Sequence, residues 1–72
     1  MEVGLFASLR ENRGKTANVE WVEGLDGYAL LDALCIAAGD VSIFLVNGAR
    51  KELEATLNAD DVIALFPPIG GG

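Results

Sequence analysis

The chain has 72 residues, 51% of them hydrophobic, and a formal net charge of −6. This length corresponds to one domain, near the lower size at which a chain folds without disulfides or metal ions. The acidic balance argues against nucleic acid and anionic membrane surfaces as partners, because both bind basic patches; it is explained either by a basic protein partner or by solubility alone.

Residue types and hydrophobic runs exclude further classes. Cys35 is the single cysteine and the chain has no histidine, so neither an internal disulfide nor a usual zinc site is expected. No apolar run approaches the roughly 20 residues that cross a bilayer, and no leader-like segment opens the chain. We therefore expect a cytoplasmic protein, complete from Met1, without a metal site.

The first predicted elements are two strands that form a hairpin. Residues 2–10 alternate with period two, which places Val3 and Leu5 on one face and Phe6 on the other. A polar turn follows, and residues 17–22 resume an extended pattern rich in β-forming side chains. Trp21 in this second strand is expected to cap a sheet edge or pack under the hairpin, with partner binding as the alternative.

A single helix is predicted after the hairpin. Asp26 is placed to cap it, apolar residues follow helical spacing from Tyr28 to Ala38, and Gly39 is placed to end it. The spacing predicts about twelve helical residues lying across the sheet. Cys35 falls on the apolar stripe, so we expect a buried, inert thiol rather than a sulfur relay.

Three extended segments complete the pattern. Residues 41–46 form a nearly continuous apolar run, typical of a central strand, and Asn47-Gly48 predicts a tight hairpin into a short strand at residues 50–53. Residues 62–66 form the last strand. The two prolines that follow end its hydrogen bonding.

This element order predicts an α+β fold. A crossover helix joins parallel strands, so the first and last strands can run side by side in the middle of the sheet. The arrangement is the β-grasp (ubiquitin-like) fold: a mixed four- to five-stranded sheet covered on one face by a single helix. We expect this domain to span residues 1–68, followed by a flexible tail at residues 69–72.

The uncovered sheet face and the tail are the candidate functional regions. If the first and last strands are neighbours, Phe6 and Phe66 share the uncovered face and form an apolar docking patch. Arg10 either makes an interface ion pair or lies in solvent. Four acids form a solvated face or complement a basic partner groove: Glu52, Glu54, Asp60 and Asp61.

The tail ends in three glycines, so nothing lateral blocks access to its carboxylate. The four residues beyond Pro68 reach roughly 13 Å at about 3.3 Å per residue, with a cross-section no wider than backbone. Such a tail can thread a narrow tunnel into a partner's active site. The glycines by themselves fit a frayed terminus equally well.

Four segments together resemble the ubiquitin-like sulfur-carrier family (MoaD/ThiS-like). They are LFASLRE at residues 5–11, VNG at 46–48, LNADDV at 57–62 and FPPIGGG at 66–72. The opening and the Phe-Pro-Pro ending are most similar to the small subunit of molybdopterin synthase. The resemblance spans the whole chain.

The resemblance implies chemistry at the end of the tail. An E1-like enzyme uses ATP and magnesium to adenylate the Gly72 carboxylate, and a sulfur donor then replaces AMP to leave a thiocarboxylate. Gly70 and Gly71 thread the tail into the partner. The residues expected to bind a partner are Phe6, Arg10, Phe66, Pro67, Pro68 and Ile69, of which residues 66–69 alternatively only end the last strand.

The resemblance also implies a carrier, or a non-catalytic subunit, that binds no cofactor itself. Its partners are the activating enzyme, a sulfur donor and an acceptor such as the large subunit of molybdopterin synthase. Sulfur delivery in molybdopterin (molybdenum/tungsten cofactor) biosynthesis is the first hypothesis. Sulfur delivery to thiamine, tRNA or cysteine, ubiquitin-like protein modification, and an interaction module without tail chemistry are the alternatives.

Overall fold

Five strands form one mixed sheet in the computed structural model, which describes residues 1–68. They are β1 (Glu2–Leu5), β2 (Thr16–Asn18), β3 (Ile43–Val46), β4 (Ala49–Arg50) and β5 (Ile63–Phe66). The spatial order is β2-β1-β5-β3-β4, with β1 and β5 parallel and the other neighbours antiparallel. The predicted β-grasp sheet and its parallel central pair are confirmed. The predicted tail at residues 69–72 lies outside the described residues.

The core lies between one face of this sheet and the single α-helix of the described residues, α1 (Gly27–Ala33). Alternate residues of the central strands are buried, and Leu30 and Leu31 of α1 join the same cluster. The strand members of this cluster are Val3, Leu5, Phe44, Val46, Ile63 and Leu65. Fully burying each such side chain contributes about 1.5–3 kcal/mol, so the covered face supplies most of the hydrophobic stabilisation.

Helix α1 begins as predicted and ends earlier. The Asp26 carboxylate accepts a hydrogen bond from the Ala29 amide at 2.9 Å, which confirms the predicted cap. The helix ends at Ala33, because Cys35 takes the left-handed conformation (φ 59°) that usually follows a helix. The expected ending at Gly39 is wrong, and so is the buried thiol, since Cys35 is exposed.

Both strands of the first hairpin are shorter than the sequence pattern predicts. Strand β1 stops at Leu5 because Ala7 has a positive φ of 52° and begins a 3₁₀ helix, Ala7–Arg10, whose Leu9 is buried. Strand β2 stops at Asn18, short of the predicted Val22. A second 3₁₀ helix, Ala38–Asp40, precedes β3.

The Asn47-Gly48 turn joins β3 to β4 as predicted. Both residues have positive φ, 54° and 83°, which matches the twist of the flanking strands. The Asn47 side chain also reaches the segment before β5: its amide donates to the Asp61 carboxylate at 2.9 Å and its oxygen accepts from the Val62 amide at 2.9 Å. These contacts fix the hairpin against the start of the last strand.

Replacing Gly27 with alanine is expected to destabilise the fold. A Cβ atom there would lie 2.7 Å from the Leu53 carbonyl oxygen and 2.8 Å from its Cα, both backbone atoms. The clash costs about 1–3 kcal/mol and exceeds the roughly 0.5–1 kcal/mol that alanine gains over glycine inside a helix. Urea unfolding measures the change. Gly39→Ala is the control, because nothing lies within 4 Å of its Cβ position; an equal loss in both variants contradicts the packing argument.

Candidate functional site

The sheet face opposite α1, which we call the open face, carries the residues that alternate with the buried ones. By register they are Glu2, Gly4, Thr16, Asn18, Ile43, Leu45, Arg50, Ala64 and Phe66. Those on the three central strands are apolar except Glu2. The apolar ones are half-buried although they alternate with the residues that face the core. A contiguous apolar surface of this kind is typical of a protein-binding site.

Phe6 and Phe66 meet at one end of the open face. Parallel pairing of Leu5 with Leu65 brings the next residue of each chain segment alongside the other. The Phe6 amide donates to the Leu65 carbonyl at 3.2 Å, and the two rings stack with centroids 4.3 Å apart and planes 10° from parallel. The predicted proximity of the two aromatic residues is confirmed; their docking role stays a prediction.

Gly4 lies directly beside this stack, a contact that the sequence pattern did not indicate. A Cβ atom at Gly4 would lie 3.4 Å from Cε2 of Phe6, so the Phe6 ring lies against the bare backbone of β1. A glycine inside a strand often marks a close approach by another group. In the sequence, the glycine that carries this signal is Gly4, which lies between the apolar residues Val3 and Leu5.

Arg10 completes what we call the aromatic stack, namely Phe6, Phe66 and Arg10. Its guanidinium carbon lies over the Phe6 ring, 5.1 Å from the centroid, and its Nε donates to the Leu5 carbonyl at 2.7 Å. A cation over an aromatic face at this distance is attractive. Arg10 is therefore held against the ring within its own chain, and its charge remains exposed at the edge of the apolar surface.

The aromatic stack lies where the chain leaves the sheet. Phe66 is the last residue of β5, and its carbonyl accepts a hydrogen bond from the Ser42 amide at 2.8 Å. Pro67 is half-buried and Pro68 is exposed. The remaining predicted site residues, Ile69, Gly70, Gly71 and Gly72, lie outside the described residues.

The acids predicted as one group have different roles. The Asp61 carboxylate accepts from the Asn47 side-chain amide at 2.9 Å and from the Asn58 backbone amide at 2.7 Å. It therefore closes the turn before β5. Glu52, Glu54 and Asp60 are exposed, so the expectation of a single four-acid surface holds at most for those three.

Residues 1–68 contain no cluster of three or more potential metal-ligating side chains. Within the same residues, no helix has the length and apolarity needed to span a membrane.

Trp21 is half-buried, packs against the core and donates from its indole nitrogen to the Leu57 carbonyl at 2.9 Å.

A mixed sheet with a central parallel pair and one helix on one face is a ubiquitin-like β-grasp domain. The sequence profile described as the ThiS family matches residues 3–72. The chain therefore belongs to the ThiS family. Its fold and family make it a ubiquitin-like sulfur carrier or modifier, which confirms the family resemblance drawn from the sequence motifs.

Solved structures agree with this assignment. The chain is similar to the crystal structure of SAMP1 from Haloferax volcanii, with 29% identity, a TM-score of 0.79, and coverage of 99% of this chain and 97% of that chain. A second crystal structure, of the H. volcanii small archaeal modifier protein 1, has 27% identity and a TM-score of 0.79, covering 94% and 95% of the two chains. A search of curated proteins found no match.

A double-mutant cycle on Phe6→Ala and Phe66→Ala tests the energy of the stacked rings. Stacked aromatic pairs are worth about 0.5–1.5 kcal/mol beyond the area they bury, so we expect a coupling of that size in the free energy of unfolding. Urea unfolding of the two single variants and the double variant gives the value. The control cycle pairs Phe6→Ala with Tyr28→Ala, on the exposed side of α1, and should be additive; equal coupling in both cycles contradicts a specific stack.

Proposed function

We propose that this chain carries sulfur on its C-terminal carboxylate, as a thiocarboxylate on Gly72, for molybdopterin biosynthesis. The observation that supports this most is the position of the aromatic stack. A half-buried apolar surface lies beside the end of β5. In the sequence, only Pro67 and Pro68 separate the last residue of β5 from the Ile-Gly-Gly-Gly segment. A partner that docks on this surface therefore has its active site within reach of the tail.

The chemistry requires activation, because a free carboxylate is unreactive. An oxygen of the Gly72 carboxylate attacks the α-phosphorus of ATP and releases pyrophosphate, which leaves an acyl-adenylate. A sulfide nucleophile then attacks the carbonyl carbon, and AMP leaves with the electron pair of the broken C–O bond. The product is a thiocarboxylate, whose sulfur is a nucleophile for the acceptor.

The activating groups belong to the partner in this proposal. An E1-like enzyme supplies the ATP site and the magnesium that neutralises the phosphate charge. This chain contributes the carboxylate, a narrow glycine tail and the docking surface, and acts as a carrier rather than an enzyme. Gly70 and Gly71 pass through the tunnel, because glycine adds no width to the backbone.

Docking is assigned to the aromatic stack and the residues that follow it. Phe6 and Phe66 offer a pre-formed apolar surface, and Arg10 holds the Phe6 ring in place and adds an exposed charge. Pro67 and Pro68 have fixed φ angles, which reduces the entropy lost when the tail enters a partner. Ile69 is the first residue beyond them and is proposed to contact the mouth of the tunnel.

Two observations favour different acceptors. The Phe-Pro-Pro ending and the LFASLRE opening are most similar to the small subunit of molybdopterin synthase, which favours that pathway. The similarity to SAMP1, described as a small archaeal modifier protein, favours transfer of the activated carboxyl group to a lysine amine as a second function. Both begin with the same acyl-adenylate, so one carrier can support both.

Intact mass spectrometry tests the tail chemistry. Incubation with an E1-like adenylating enzyme from the same genome, ATP, magnesium and sulfide should raise the mass by about 16 Da, since one oxygen is replaced by sulfur. The control lacks Gly71 and Gly72 and should not gain this mass. Conjugates of higher mass support modification instead, and an unchanged wild-type mass contradicts the carrier proposal.

A second test concerns the docking surface. The double variant Phe6→Ser/Phe66→Ser should bind the adenylating enzyme at least about tenfold more weakly, because buried aromatic residues dominate interface energies. Loss of the stacking energy alone should lower the melting temperature by about 2–12 °C, and the lost burial of the two rings adds to this, so binding is measured well below the melting temperature of the variant. Calorimetry measures both quantities. Tyr28→Ser, which removes an exposed aromatic residue from α1, is the matched control; equal weakening by this control contradicts the assigned surface.

A further inference from the structure

Charge is distributed unevenly along this chain. Residues 16–49 contain five acids and no lysine or arginine: Glu20, Glu23, Asp26, Asp32 and Asp40. That stretch includes α1 and the loops beside it. The five basic residues are confined to residues 10–15 and 50–51. Residues 16–49 therefore account for −5 of the net charge of −6, and none of their five acids lies in a strand.

The open face has a different balance of charge. Among the strands of the described residues, Glu2 is the only acid, and its partner in β2 is Asn18, at the far end from the aromatic stack. Arg50 is exposed and pairs with Leu45, which places it at the β4 edge of the apolar surface. Arg10 lies over Phe6 near the other edge. An apolar surface is thus bordered by two arginines.

Lys51 follows Arg50 in the sequence but belongs to the other face of the sheet. Lys51 donates its backbone amide to the carbonyl of Phe44, a buried residue of β3, so it is out of phase with Arg50. Lys51 also lines a groove of about 440 Å³ together with Val46 and Leu57, both members of the core. The two cations are adjacent in sequence, but only Arg50 belongs to the open face.

We propose that the open face docks a partner surface in which acidic side chains border an apolar centre, and that Arg50 pairs with one of those acids. This rests on the proposed docking function and names the chemistry of the partner. It differs from one of the two explanations of the acidic net charge given above, a basic protein partner, and agrees with the other, solubility. Opposite charges at an interface rim accelerate association and fix its register, and such attraction is screened by salt.

Two charge reversals separate the local field from the net charge. Arg50→Glu and Lys51→Glu change the net charge by the same amount at adjacent positions, but only Arg50 lies on the open face. Association with the E1-like adenylating enzyme is measured by stopped flow at low and high ionic strength. We expect Arg50→Glu to lower the association rate constant about tenfold at low salt, with the difference shrinking as salt rises. Lys51→Glu should remain within about twofold of wild type.

The outcomes distinguish this proposal from the one it rests on. A wild-type chain that is neither bound nor adenylated by the enzyme overturns the proposed function, and the charge proposal with it. Normal binding and adenylation of the wild type, with Arg50→Glu associating as fast as wild type or no slower than Lys51→Glu, overturns the charge proposal alone. Arg50→Gln, which removes the charge without reversing it, should lie between wild type and Arg50→Glu, and circular dichroism verifies that each variant is folded.

Discussion

The parallel pairing of β1 with β5 is the constraint on which the rest of the structure depends. Val3 pairs with Ile63 and Leu5 with Leu65, so residues about sixty positions apart become neighbours in the centre of the sheet. Their side chains are almost completely buried under α1. One pairing therefore creates the centre of the core and, on the other face, brings the two aromatic residues together.

The two faces of the sheet have separate tasks. The covered face is filled by leucine, isoleucine, valine and phenylalanine, and its burial stabilises the domain. The open face keeps half-buried apolar side chains that contribute less to folding and remain available to a partner. In the proposed docking, substitutions on the open face alter recognition while leaving the core intact. This separation suits a small domain that has little stability to lose.

Much of the fold could be predicted from the sequence because its signals are local or follow from chain connectivity. The Asp26 cap and the Asn47-Gly48 turn each depend on a few neighbouring residues, and the central pairing follows from a helical crossover. Alternation of buried and outward residues in β5 placed Phe66 on the open face. Those inferences needed no knowledge of distant contacts.

Other features could not be predicted because they depend on tertiary contacts. Ala7 and Cys35 adopt positive φ angles that neither residue type favours, so nothing local indicated that β1 and α1 would end there. The position of Arg10 over Phe6 depends on a 3₁₀ helix that the alternating pattern concealed. The contact between Gly4 and the Phe6 ring likewise depends on how that ring packs in the folded chain.

Trp21 gives the molecule an internal optical reporter. It is the only tryptophan, and its indole is held by the Leu57 carbonyl and packs against the core rather than against the aromatic stack. Its emission consequently follows loss of the folded interior. The proposed docking surface is the open face, whereas the indole contacts the core, so emission distinguishes an unfolded domain from a folded one with weakened partner binding.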